Sequence, residues 1–228
     1  MRRRPSTTPR SSAWSKIGSR EADPLPRTFY LRPAPVVARD LLGCVLACRR
    51  GRTVTAGRIV ETEAYLGPED AASHAAFRPG SHALFYGEGG HAYVYLNYGV
   101  HYCLNAITNP AGQPGCVLLR AVSPLEGIGT MVRRRGAPPS PRLASGPGNL
   151  TRALGITLRD NGADLTAGRL VILPPDAPRA FDVSCGPRIG ITRSVDLPLR
   201  FWIVGDPAVS ASPRRGPRWR PPIPPPSN

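Results

Sequence analysis

Two glutamates stand two residues apart in the run Arg58-Ile59-Val60-Glu61-Thr62-Glu63-Ala64-Tyr65. Strand side chains repeat every second residue, so a strand here carries Glu61, Glu63 and Tyr65 on one face. Glutamate is depleted from strands and rarely buried unless something pairs it or uses it. Glu63 therefore reads either as a structural carboxylate paired with a buried arginine such as Arg120, or as a general base. Downstream, the aromatic run from Tyr93 to Asn105 reads as two short strands joined by a tight turn at Tyr98-Gly99. Tyr65 beside Glu63, with Tyr93 and Tyr95 sharing a face, suits a flat, electron-poor or cationic ligand. Stacking and cation–π attraction there are worth roughly 0.5–2 kcal/mol, although ordinary core packing accounts for one of Tyr93 and Tyr95. At the turn a large ring has no core to enter, and Gly99 supplies the positive φ a tight hairpin needs. Tyr98 is thus a candidate wedge for a base stack, against the plainer reading of a surface tyrosine. Glu61 and Glu63 also admit a carbohydrate hydrolase, because residues two apart on a strand lie roughly 6.5–7 Å apart, within the separation used by inverting glycosidases. Against that, both would project from one side instead of flanking a bond.

The elements that position these residues follow from turn and cap chemistry. Pro35 to Leu42 has helical spacing with Pro first and Gly43 as a stop. Cys44 to Cys48 reads as an apolar strand, Arg49 to Arg52 as a turn, and Thr53 to Ala64 as the partner strand carrying the glutamates. Gly67-Pro68-Glu69-Asp70 breaks that strand, with Asp70 as N-cap of a short helix containing His74. Residues 77–90 read as a Gly-rich loop holding Phe85 and Tyr86. After the hairpin and the loop Asn109 to Gly115, Cys116 to Val122 is an apolar strand interrupted by Arg120. Ser123-Pro124-Leu125-Glu126 has the form of a capping box, starting a helix that ends at Arg133-Arg134-Arg135-Gly136. Asn149 to Leu154 reads as helix, and Arg169 to Leu173, Arg188 to Thr192 and Leu199 to Val204 as strands.

Composition bounds the partners. The 228 residues carry a formal charge of +15, and Lys16 is the only lysine. Residues 1–23 hold six basic and two acidic side chains, and 212–228 hold four arginines and no acid, which leaves +7 for residues 24–211. A chain this basic attracts polyanions, nucleic acid first. The five cysteines form no C-x-x-C pair and have no histidine cluster near them, which argues against a disulfide framework or a structural zinc site and for buried, reduced thiols. No run of 18 apolar residues exists, so no membrane span is expected. The Arg/Ser-rich start lacks the apolar core of a secretory signal. Residues 1–23 are expected to form a disordered basic tail, 24–211 one catalytic domain, and 212–228 a disordered Pro/Arg-rich tail.

Four stretches, ETEAYLGPED, the YVY-x-x-YG-x-x-YC-x-N hairpin, CVLLRAVSPLEG and SGPGNL, resemble in order the alkyladenine (3-methyladenine, methylpurine) DNA glycosylase family. The resemblance runs from about Pro24 to Ser210. It implies a mixed α/β (α+β) single domain around a curved antiparallel sheet, with a protruding hairpin that inserts into DNA, and no metal or other cofactor. It implies a base-excision-repair enzyme that flips alkylated purines such as 3-methyladenine out of double-stranded DNA and hydrolyses the N-glycosidic bond, leaving an abasic site. By residue, Glu63 matches the general base that activates water, and Arg120 a residue that helps hold that water. Tyr65, His74 and Tyr95 match residues enclosing the flipped base, and Tyr98 the side chain filling the gap it leaves. Asn105 matches a residue crowding the exocyclic amine of guanine, and Ile189 a position whose backbone carbonyl lies at the water. The same resemblance points to a monomer, cytoplasmic and nucleoid-associated in a bacterium. Three positions depart from the family pattern: Ser81-His82 stands where Arg-Asn is common, and Asn149 where Lys is common. Those changes weaken expected backbone or phosphate contacts, not the reaction. With no lysine near the site, a Schiff-base mechanism is not expected.

Overall fold

In the computed structural model, which describes residues 22–78, 82–175 and 178–210 apart from the side chain of His82, the chain opens with two short helices, α1 (Arg27–Tyr30) and α2 (Ala34–Asp40). Ala34, Val37 and Ala38 of α2 are buried at the i, i+3, i+4 spacing that turns one helical stripe inward. Gly43, at φ +88, ends this region where a Cβ would lie 2.8 Å from the Phe181 ring. Strand β1 (Val45–Arg50) then pairs antiparallel with the thirteen-residue β2 (Thr53–Tyr65). Two single-turn helices follow, α3 (His74–Phe77) and α4 (His82–Phe85), the second inside the stretch expected to be plain loop.

The hairpin forms as expected from β3 (Ala92–Asn97) and β4 (His101–Ile107), with Tyr93 opposite Asn105 and Tyr95 opposite Cys103. Next come β5 (Cys116–Glu126), α5 (Ile128–Arg135), α6 (Pro147–Leu154), β6 (Leu170–Leu173), β7 (Val183–Gly186) and β8 (Arg200–Ile203). The sheet order is β3-β4-β5-β2-β1-β6, with β7 and β8 attached through β8 to β2. Every strand pairing is antiparallel. Strands β1 and β8 share one edge of β2, β1 along Thr53 to Arg58 and β8 along Glu61 to Glu63. One strand serving two partners curls the sheet, so the protein is a mixed α/β single domain around a curved antiparallel sheet.

The two faces of that sheet divide the labour. Val60, Ala64, Val94, Leu104, Ala106, Val117, Leu119 and Ala121 point into the main core, which α2 and α6 cover. Their alternating neighbours face the other way. Tyr93, Ile107 and Cys116 form a separate cluster with Phe85 and Ala75, against which Tyr65 and Tyr95 pack. A single pleat thus carries the stabilising core on one side and an aromatic surface on the other.

Three local expectations give way to tertiary pairing. The Ser123-to-Glu126 capping box is strand: Ser123 and Pro124 pair with Arg58 and Gly57, and Glu126 with Ala56. The strands approach so closely there that a Cβ on Gly57 would lie 2.6 Å from Val122 Cγ2. Helix α5 starts only after Gly127, and it ends as expected at Gly136, whose N–H donates to Val132 O. The N-cap of α3 is Ser73, whose hydroxyl accepts from Ala75 N–H, because Asp70 is occupied elsewhere. Residues 188–192 form no strand; the missing strand is β7, further upstream. All five cysteines are buried, and none is in a disulfide. No helix among the described residues is long and apolar enough to cross a membrane. Apart from residues 22 and 23, the expected tails, and the departure at Ser81-His82, lie outside the described residues or on the undescribed His82 side chain.

Candidate active site

The site begins with two irregularities in the β2–β5 ladder. Ile59 pairs with Val122, Glu61 with Ala121 and Thr62 with Leu119, so Val60 is left out on β2 and Arg120 on β5. Bulges bend a strand and re-aim its side chains, and they recur beside active sites. Here they let Arg120 meet both glutamates. Its Nε donates to Glu61 Oε1 at 3.1 Å, and its Nη1 lies 3.3 Å from Glu63 Oε1. The structural and catalytic readings of Glu63 are therefore not exclusive, since Glu63 and its arginine partner form one unit.

Glu61 and Glu63 have different surroundings. Glu61 Oε1 accepts from Arg120 and, at 2.7 Å, from Arg200 Nε, and its Oε2 accepts from Ser210 N–H at 2.7 Å. Glu63 Oε1 accepts from Ile189 N–H at 2.7 Å, while its Oε2 accepts from Tyr65 O–H at 3.0 Å. Both carboxylates are fully buried. Burial raises the Glu63 pKa, with Glu61 adding to the rise; Arg120, the Ile189 N–H and the Tyr65 hydroxyl oppose it. Burial pulls the Arg120 pKa down, but Glu63 and Glu61 outweigh it and keep the guanidinium charged. The result is a carboxylate made more basic by burial, with Arg120 opposing that rise. Two carboxylates gathered on a single arginine do not flank a glycosidic bond, which removes the carbohydrate-hydrolase geometry.

Over this floor lies a cavity of about 690 Å³. Tyr65, His74, Tyr95, Tyr98, Asn105, Arg120 and Ile189 all line it, so seven of the eight residues singled out from sequence meet there. The eighth, Glu63, sits just behind the lining and touches Tyr65, Arg120 and Ile189. Ile189 presents its N–H to Glu63, a contact distinct from the carbonyl role the resemblance implies. The Tyr95 ring stacks on Tyr93 with centroids 5.3 Å apart, and His74 tilts against Tyr95 at 4.4 Å. His74 Nδ1 is 2.8 Å from the Tyr93 hydroxyl. Burial, then Arg78, lowers the His74 pKa to about 4, so its ring is neutral at neutral pH. Burial foremost pushes the Tyr65 and Tyr95 phenols up, so both stay protonated. Neutral rings beside a buried carboxylate offer their faces to a cationic aromatic, while Arg120, which also lines the cavity, is paired with Glu61 and Glu63.

Asn105 is anchored: its Nδ2 donates to Tyr93 O at 3.0 Å, and the Cys116 thiol lies 3.8 Å from its Oδ1. Tyr98 is 86% exposed at the hairpin tip with φ 49, next to Gly99 at φ 69, and Val100 N–H closes the turn onto Asn97 O. A bulky non-glycine residue at positive φ is uncommon and marks stored strain. Asn149 Nδ2 turns back to Ser145 O at 2.8 Å, within its own helical turn.

Sequence reasoning missed the Asp70–Arg188 pair. Arg188 Nη1 and Nη2 reach the two Asp70 oxygens at 2.5 and 2.8 Å, Nη1 also donates to Ala64 O, and the guanidinium lies over the Tyr65 ring. These residues come from loops far apart in the chain, so no local spacing announces them. Arg78, 5.4 Å over the Tyr95 ring, was missed for the same reason.

Comparison with known proteins agrees with this geometry. The family described as Methylpurine-DNA glycosylase (MPG) matches residues 28–207. A protein of Koribacter versatilis named "Putative 3-methyladenine DNA glycosylase" is 48% identical over 192 residues, covering 82% of this chain and 93% of its own. Proteins of the same name from Methanoculleus marisnigri and Corynebacterium efficiens are 44% and 45% identical, each over 82% of this chain and over 98% and 95% of their own lengths. The family match extends through every cavity-lining element from α3 to the loop carrying Ile189, and on that ground the chain belongs to the methylpurine-DNA glycosylase family.

Proposed function

We propose that this protein excises alkylated purines from double-stranded DNA by hydrolysis, with Glu63 as the base that activates water. The flipped purine enters the cavity between Tyr65 and the His74–Tyr95 wall, at an unstacking cost of a few kcal/mol. Water forms the bond to C1′ and gives a proton to Glu63. The N-glycosidic bond breaks, and its electron pair neutralises the cationic purine as it leaves. A purine already alkylated on nitrogen departs without being protonated, so one carboxylate suffices. Tyr98 fills the space left in the duplex. The product is an abasic site with the strand intact, because the only lysine, Lys16, is remote in sequence from every cavity residue. The protein acts as a monomer, as the family resemblance implies, and the Arg-rich termini add electrostatic affinity.

The observation that carries this reading is the buried Glu63, with Arg120 Nη1 3.3 Å from its Oε1, directly behind an aromatic cavity. The test is release of 3-methyladenine from methylated duplex DNA by the wild type and by Glu63→Gln. The wild type is expected to release the base without nicking, and the variant to lose roughly 10²–10⁴-fold in rate while still binding lesion DNA. Unimpaired release by Glu63→Gln would remove Glu63 from the mechanism. Nicking without heat or alkali would remove the hydrolytic assignment.

A further inference from the structure

We infer that Glu61 is a positioning residue which divides the charge of Arg120 between two carboxylates and so keeps Glu63 basic enough to take a proton from water. This rests on the role of Glu63 proposed above. Glu61 stands a step further from the cavity than Glu63: the contacts of Glu63 with Tyr65, Arg120 and Ile189 are all to lining residues, whereas of Arg120, Arg200 and Ser210, which occupy the Glu61 oxygens, only Arg120 lines it. It therefore touches no reacting atom. What it determines is where the guanidinium of Arg120 points.

Arg120 is held at three corners: Nε by Glu61 at 3.1 Å, Nη2 by the Ser210 hydroxyl at 3.4 Å, and Nη1 beside Glu63 at 3.3 Å. Only the last faces the base. The ladder irregularities at Val60 and Arg120 make this grip possible, because an unbroken register would not offer one guanidinium to two glutamates on the neighbouring strand. Ser210 ties the end of the described chain to the same pair, donating its N–H to Glu61 and accepting from Arg120.

The charges around Glu63 define the consequence. Facing it are Arg120 from β5, Glu61 and Tyr65 from β2, Cys103 from β4, and Arg188 beside the Ile189 N–H. Arg120 favours the ionised form, and Glu61 disfavours it by repulsion and by occupying part of Arg120. Removing the Glu61 charge lets Arg120 attend to Glu63 alone. The carboxylate then ionises more readily and becomes a weaker base.

The experiment is single-turnover base release at saturating enzyme, measured against pH, for wild type, Glu61→Gln and Glu63→Gln. Glu61→Gln is expected to bind lesion DNA as the wild type does. Its rate should fall about 10–100-fold, as when a residue supporting a site is removed, and the acidic limb of its pH profile should move to lower pH. A rate lowered equally at every pH, with the limb in place, would reduce Glu61 to a structural role and overturn the inference. Because Glu61→Gln leaves Arg120 and Arg200 in excess of buried negative charge, Glu61→Gln/Arg200→Gln restores the balance and is measured alongside. A displaced limb in the double variant supports positioning; recovery of the wild-type profile shows that only charge balance mattered and overturns it. Glu63→Gln separates the two levels, since full activity there would sink the general-base reading itself.

Discussion

The guanidinium of Arg188 lies 4.6 Å over the ring of Tyr65. A residue with no visible role in the sequence thereby fixes the angle of one wall of the cavity. Asp70 holds Arg188 from the other side with both oxygens, and both partners are buried. Burial alone would raise the Asp70 pKa, but hydrogen bonds from Arg188 and the Leu66 and Ala72 N–H groups bring it below the usual carboxylate value.

Breaking this pair exposes its cost. Arg188→Leu leaves a buried carboxylate without a cation and is expected to destabilise the fold by about 3–5 kcal/mol. Asp70→Asn/Arg188→Leu should lose less than the sum of its single variants, because the uncompensated charge is gone. Denaturant unfolding of the four proteins measures this; additive losses would show that the two residues act separately.

Tyr98 separates flipping from chemistry. Tyr98→Ala should slow excision most for a lesion paired in a duplex and least for one in a single strand, the difference reflecting a flipping penalty of a few kcal/mol. Equal slowing on both substrates would make Tyr98 part of the pocket instead of the wedge. Tyr98→Asn adds a second readout, because asparagine tolerates the left-handed conformation at φ 49. It should raise hairpin stability by up to about 1 kcal/mol while losing the same duplex activity, a strain kept for function.

His74 titrates at about 4, below the ordinary histidine value of 6.5. The folded state therefore binds fewer protons than the unfolded chain between those values. Stability from the neutral ring is complete above about pH 6.5 and is lost as pH falls toward 4. His74→Gln should flatten the dependence of Tm on pH in that window and leave it unchanged from pH 7 to 8. A wild-type slope retained in the variant would assign the acid sensitivity to another group.

The basic termini are expected to act as electrostatic tethers. Deleting 1–23 and 212–228 should weaken duplex binding and flatten its salt dependence, since each phosphate contact contributes about 0.9 to the slope of log affinity against log salt. Single-turnover release at saturating enzyme should be unaltered. A large fall in that rate would mean that the termini reach the reacting base.

Read residue by residue, the sequence by itself determined the strand carrying Glu61 and Glu63, the hairpin with Tyr98 at its tip, and the helix end at Gly136. Those features rest on period-two alternation, positive-φ glycines and caps, all written within a few neighbouring residues. The motif order also brought seven of the eight site residues to one cavity. Only the tertiary structure decided the rest. It turned the capping box at Ser123 into strand, because β2 runs on as a partner and ladder pairing with Arg58, Gly57 and Ala56 outweighs a local cap. It moved the N-cap from Asp70 to Ser73, because Arg188 claims Asp70 from across the fold. It left Arg120 out of the ladder, so that one cation meets both Glu61 and Glu63. Each of these depends on a partner distant in sequence, and long-range burial, not local propensity, sets the energy of a buried charge.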